Sequence, residues 1–142
     1  MIDGAQDFSI LSAQECRRLL GSTTVGRIVY TSNALPAVAP VNYVMDGDDI
    51  IIRTAPGSKL EAAMRNTIVG FQIDQIDLAT HTGWSVLAIG HATHVTDPAS
   101  IGRLDTLGLV TWMPDARNHY VRIACHQLTG RVLDGQRPPP PW

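Results

Sequence analysis

Between residues 53 and 61 the chain reads RTAPGSKLE, which concentrates groups able to hold an anion. Arg53 and Lys59 bring two positive charges. The hydroxyls of Thr54 and Ser58 add donors, and Gly57 lets a ligand approach the backbone closely. Ser58 and Glu61 have capping-box spacing, so a helix is expected to start at Ser58. A helix start leaves backbone N–H groups unpaired and carries partial positive charge. Phosphate suits such a set, because it accepts many hydrogen bonds and Arg can hold it through two parallel ones. The stretch also has a purely structural reading. A capped helix start beside a basic residue is common; Lys59 is then solvated, and Glu61 or Asp49 neutralises Arg53. The G-x-x-x-x-G-K-[ST] of a P-loop and the G-x-G-x-x-G of a dinucleotide fold are both missing here.

The other residues with chemical potential are more scattered. His91 and His94 lie three apart in a strand-like run, which sends them to opposite faces and makes them poor partners for a metal. His81, His119 and His126 form no ligand pattern, so no metal site is expected. Ser58, Ser85 and Cys16 have no base placed by the sequence, which argues against a Ser or Cys hydrolase.

The elements that position these residues follow from apolar spacing and turn signals. Residues 11–21, LSAQECRRLLG, predict a short helix capped by Ser12, with Gly21 ending it in a left-handed turn. Residues 25–55 predict strands at about 25–31, 37–45 and 49–54, an antiparallel meander with turns at SNALP and Asp46-Gly47. A helix at 58–65 and a strand at 68–74 follow, then a loop at 75–82. The long run 83–96 predicts a strand with a bulge or bend at Gly90. Asp97-Pro98 opens a helix to about 107, and 118–133 is the last strand. The expected fold is mainly β: a split, antiparallel β-barrel of six to seven strands with short helices capping its ends. A single domain spans 1–133, and 134–142, DGQRPPPPW, forms an extended tail.

Composition narrows the class. A chain of 142 residues with 44% hydrophobic and 17% charged residues can bury one core. A net charge of −2 and the lack of a long basic run argue against nucleic acid. No apolar run approaches the roughly 20 residues of a membrane span, and MIDGAQDFSI has neither the basic nor the apolar region of a secretion signal. Cys16 and Cys125 make no disulfide framework or zinc pattern. A cytoplasmic protein with reduced thiols is expected.

PVNYVMDGDDIIIRTAPGSKLEAAMRN, followed by GWSVLAIGHA, resembles the pyridoxamine 5′-phosphate oxidase-like flavoproteins, in particular their small actinobacterial split-barrel members. The likeness spans about residues 11–133. It implies a homodimer with FMN at the interface. The phosphate falls on Arg53, Thr54, Ser58 and Lys59. The ring runs along Pro40, Val41, Asn42 and Tyr43, and Trp84, Ser85 and Val86 reach it from the partner subunit or the ring edge. The residue types suit this: Val41 and Tyr43 share one strand face with Asn42 on the other, and Trp84 can stack. Ordinary core packing is the competing role for Tyr43 and Trp84.

The resemblance implies an FMN-dependent oxidoreductase that takes hydride from a reduced nicotinamide and passes electrons to a small acceptor. A deazaflavin (coenzyme F-420) reductase is the alternative, with Arg53, Lys59 and Arg65 facing its acidic tail and Glu61 opposing it. A non-catalytic dimer carrying flavin or haem is a third reading. The true oxidases carry an Arg-Leu-His-Asp-Arg-like run near the C-terminus where this chain has HQLTGRVL, so the resemblance does not extend to the vitamin substrate.

Overall fold

The computed structural model describes residues 10–110 and 119–134; the Pro-rich tail expected from residue 134 lies, beyond Asp134, outside them. Helix α1 (Ala13–Leu20) starts where Ser12 Oγ accepts the Glu15 N–H at 3.1 Å. It buries Cys16, Leu19 and Leu20. Gly21 ends it with ordinary right-handed geometry, φ −79°, in place of the left-handed turn expected from sequence. Ser22 supplies the reason: its N–H and hydroxyl both donate to the Leu19 carbonyl, at 3.0 and 2.7 Å, which satisfies that helix end without a left-handed residue.

Strands β1 (Val25–Ser32) and β2 (Leu35–Asn42) form a hairpin. Its two turn residues, Asn33 and Ala34, have φ of 53° and 63°, which matches the strand twist in a two-residue turn. Strands β3 (Val44–Asp46) and β4 (Asp49–Arg53) form a second hairpin. Its turn is Gly47-Asp48, and Gly47 takes the positive φ of 61° that a side chain would resist. Then come helix α2 (Lys59–Ala63), β5 (Thr67–Asp77), β6 (Thr82–His94), helix α3 (Pro98–Asp105) and β7 (Tyr120–Leu133). The Asp97 carboxylate caps α3 by accepting the Ser100 N–H at 2.9 Å.

The seven strands form one antiparallel sheet in the order β2-β1-β5-β6-β7-β4-β3. The expected three-strand meander is therefore interrupted. The predicted strand 37–45 divides at Tyr43, and its two parts lie on opposite edges of the sheet. Because one residue joins those edges, the sheet must curl until they meet. The result is the expected split barrel. Strand β5 extends to Asp77, so the predicted loop 75–82 shrinks to 78–81. Gln75 and Ile76 pair with Trp84 and Gly83, although they carry no apolar alternation that would reveal a strand.

The predicted irregularity at Gly90 is a bulge. Pairing jumps from Ile89–Gln127 to Gly90–Cys125, which leaves His126 as the extra residue on β7. A Cβ on Gly90 would lie 2.1 Å from the Ala124 carbonyl oxygen, so only glycine fits that approach.

Core residues Ile28, Ile50, Ile52, Phe71, Ile73, Val86 and Ile123 fill the barrel with Leu20 and Met64. Ile51 faces the other way, into a smaller cluster with Leu104, Leu109 and Tyr120. Strand β4 is thus buried on both faces, which is why it reads Ile-Ile-Ile without alternation. Among the described residues no helix is long and apolar enough to cross a membrane.

Candidate functional site

The end of β4, the start of β7 and the end of β6 meet at one rim of the barrel. Arg53 pairs with Tyr120, and the Thr54 N–H donates to the His119 carbonyl at 2.9 Å. His94, the last residue of β6, pairs with Val121. Helix α2 lies at this rim. Its cap is the predicted one: Ser58 Oγ accepts the Glu61 N–H at 3.0 Å. Glu61 reaches back one residue further than a capping box does, and its Oε1 accepts the Gly57 N–H at 3.1 Å.

Glu61 is buried, only 4% exposed. Its Oε2 lies 2.8 Å from Arg65 Nη2, 3.2 Å from His94 Nδ1 and 3.6 Å from His119 Nε2. His94 also touches the Glu61 main chain, its Nε2 lying 3.1 Å from the carbonyl oxygen. The two imidazole rings meet edge to face, with centroids 5.7 Å apart. Burial pushes the Glu61 carboxyl up, but the Arg65 hydrogen bond, the Gly57 N–H and the charge of Arg65 outweigh it and hold the carboxyl below its ordinary range.

Arg53 and Thr54 leave the strand end on opposite faces. The Arg53 Nη1 donates to the Leu109 carbonyl at 3.1 Å, and its guanidinium sits 5.5 Å from the Tyr120 ring centroid. Thr54 is fully buried, and its Oγ1 finds no hydrogen-bond partner among the described residues. Lys59 is exposed, and Ser58 is half-buried. Local sequence alone brings these four to one rim.

Val41 and Tyr43 lie in the main core beside Ile50 and Ile52. The Tyr43 hydroxyl donates to the Leu20 carbonyl, and its ring meets Phe71 edge-on at 4.8 Å. Tyr43 thus offers a ligand neither its ring face nor its N–H, which donates to the Thr24 carbonyl at 3.0 Å. Asn42 is half-buried and Pro40 exposed. Trp84 packs against the core, Val86 is fully buried, and Ser85 lines a cavity of about 320 Å³ with Ile10, Leu87, Thr129, Gly130 and Arg131. Residues 84–86 sit some ten positions back along β6 from His94, roughly 30 Å at strand rise. Within one chain they are not brought to the rim of Arg53–Lys59.

The Glu61–His94–His119 grouping is not visible in the sequence. Its members are 33 and 58 positions from Glu61, and no local pattern marks them. The three-residue spacing of His91 and His94 bears only on that pair.

Curled antiparallel strands with a capped helix at one rim define a split β-barrel protein. The chain belongs to the pyridoxamine 5′-phosphate oxidase family, whose model matches residues 12–132. It is 36% identical over 141 residues to the uncharacterized protein Rv0080 of Mycobacterium tuberculosis, covering 95% of this chain and 92% of that one. Among solved structures it is similar to an FAD-binding protein of Mycobacterium smegmatis, with 37% identity, a TM-score of 0.75, and 89% of this chain and 98% of that one covered. A solved structure from Corynebacterium glutamicum gives 35% identity and a TM-score of 0.77, covering 88% of this chain and 97% of that one.

Proposed function

We propose that this protein binds a phosphorylated flavin and works as a homodimeric oxidoreductase. The observation that carries the reading is its 37% identity, over nearly the whole of each chain, to the FAD-binding protein of M. smegmatis. FMN is the ligand expected from the sequence; FAD carries the same ring and the same first phosphate. When bound, the flavin supplies hydride and electron transfer, and the protein supplies binding, orientation and exclusion of water.

The residues at the rim fit a phosphate in part. Thr54 Oγ1 is a buried hydroxyl without a partner among the described residues, and leaving such a group unmade is costly unless something fills its place. Ser58 Oγ accepts the Glu61 N–H and keeps its own proton to donate. Lys59 adds an exposed charge. Glu61 already holds the Gly57 N–H, so the helix start contributes less than the sequence suggests. That carboxylate also opposes the longer acidic tail of a deazaflavin, which favours the flavin reading.

The outer sheet face supports the dimer. Val38 pairs with Val29, Val29 with Gly70, and Gly70 with Ile89, so these residues form one row across four strands. Val38 and the nearby Ile68 are each 61% exposed. A second subunit covering this face would remove apolar surface from water. In such a dimer the family resemblance expects a partner's residues 84–86, far from the rim within one chain, to reach the shared ligand.

The test is a set of parallel titrations of the purified protein with FMN, FAD, riboflavin, F-420 and haem, read by fluorescence or absorbance. Sedimentation and turnover with reduced nicotinamide accompany them. Tight binding of FMN or FAD by a dimer, with electron transfer to an added acceptor, supports the reading. A monomer that takes neither flavin, or prefers F-420 or haem, rejects it.

A further inference from the structure

We propose that Glu61, His94 and His119 form a site for one divalent transition-metal ion of zinc-like chemistry, with three protein ligands and an open fourth position. The three ligand atoms all lie within 4.8 Å of one another.

The tautomer of His94 provides the first argument. Its Nε2 lies 3.1 Å from the Glu61 main-chain carbonyl, which can only accept, so Nε2 carries the proton. In the neutral ring Nδ1 then turns a lone pair toward Glu61 Oε2 at 3.2 Å. Two lone pairs facing across that distance repel unless a cation lies between them. An imidazole whose second nitrogen donates to a backbone carbonyl is the outer arrangement that metal-bound histidines adopt, since it fixes both tautomer and ring orientation. The Gly57 N–H does the same for the carboxylate, holding Oε1 and leaving Oε2 directed at the histidines.

Spacing provides the second. His119 Nε2 is a buried atom with no hydrogen-bond partner among the described residues. At 3.6 Å from Oε2 it is too far for a hydrogen bond. Two ligands held at about 2.0–2.1 Å by a tetrahedral zinc ion stand about 3.3–3.4 Å apart. The two nitrogen-to-oxygen distances, 3.2 and 3.6 Å, bracket that value. The His119 side chain is 36% exposed and has room to swing in and close the spacing to His94.

Charge is compatible as well. Arg65 shares Oε2, but its side chain is 68% exposed and can turn to solvent when a divalent cation replaces its charge beside the buried carboxylate. Two imidazoles and one carboxylate suit zinc better than magnesium or calcium, which prefer all-oxygen shells. The competing arrangement is a doubly protonated His94 in a simple ion pair with Glu61, which needs no metal.

The experiment uses the intact protein, stripped with a chelator and dialysed, then titrated with zinc against a chromophoric competitor. One equivalent per chain is expected, with a melting temperature that rises with zinc because the ion binds only the folded state. Cobalt in place of zinc should give the visible absorption of a four-coordinate site. His94→Ala and His119→Ala should each weaken zinc binding at least about tenfold, whereas His91→Ala should leave it unchanged. Circular dichroism checks that the variants fold, and the more exposed His119 keeps the test usable if His94→Ala does not. Uptake well below one equivalent, or uptake that survives both substitutions, overturns the site and leaves the ion pair as the role of His94.

Discussion

The main-chain N–H of Thr54 donates to the carbonyl of His119 across 2.9 Å, and this bond continues the β4–β7 ladder one residue beyond the end of β4. It fixes the Thr54 side chain inside the barrel rim, where its hydroxyl has no partner among the described residues. Thr54→Val keeps the shape and removes the polar atom. The apoprotein is expected to gain about 1 kcal/mol in stability, while affinity for FMN or FAD falls. Urea unfolding of the ligand-free protein and flavin titration read the two effects. A variant less stable than the parent would show that the hydroxyl is already satisfied.

Lys59 makes a sharper distinction between ligands. Lys59→Ala should weaken FMN more than riboflavin, because only FMN carries the phosphate. A charged hydrogen bond of this kind is worth roughly 1.5–3 kcal/mol, about ten- to a hundredfold in affinity. Equal loss for both ligands would mean that Lys59 acts through the fold.

Asp46 ties the β3–β4 hairpin to two other elements. Arg103 of α3 holds it through bonds of 2.7 and 2.9 Å, and Arg122 of β7 lies 2.9 Å away while also bonding Asp49. The Arg103 hydrogen bond, helped by Arg122 and opposed by burial, lowers the Asp46 carboxyl from 3.8 to about 2. An acid whose folded value is depressed stabilises the protein wherever it is ionised. That contribution is complete above about pH 4 and fades as pH falls toward 2. Asp46→Asn should therefore cost about 1–2 kcal/mol at pH 7, after allowance for solvent screening. The gap from the parent should narrow below pH 4. A constant gap across that range in urea titrations would place the effect elsewhere.

Gly90→Ala tests the bulge. The new methyl carbon would meet the Ala124 carbonyl oxygen at 2.1 Å, and a backbone oxygen within a sheet cannot move aside cheaply. A loss of about 2–3 kcal/mol is expected, seen as a lower urea midpoint with an unchanged slope. A substitution without effect would mean that β7 slides to a different register.

Local chemistry made much of this protein legible from its sequence. The caps at Ser12, Ser58 and Asp97 involve groups three residues apart, and the Gly47 turn and the Gly90 irregularity rest on what a single glycine permits. The Ile50–Ile52 run has the composition of a buried strand, and the fold buries it on both faces. The order of the sheet was decided by tertiary structure, because nothing local in Asn42-Tyr43-Val44 says that the strands on either side lie at opposite edges. The left-handed turn expected at Gly21 gave way to the Ser22 bonds, and β5 outran its apolar pattern because Gln75 and Ile76 had partners in β6. The same holds at the rim. The residues near Ser58 were visible as a capped, donor-rich turn. That Glu61 is buried against two histidines, from the end of β6 and the residue before β7, depended on strand pairings between distant segments, which only the curled sheet brings within 4 Å of one carboxylate oxygen.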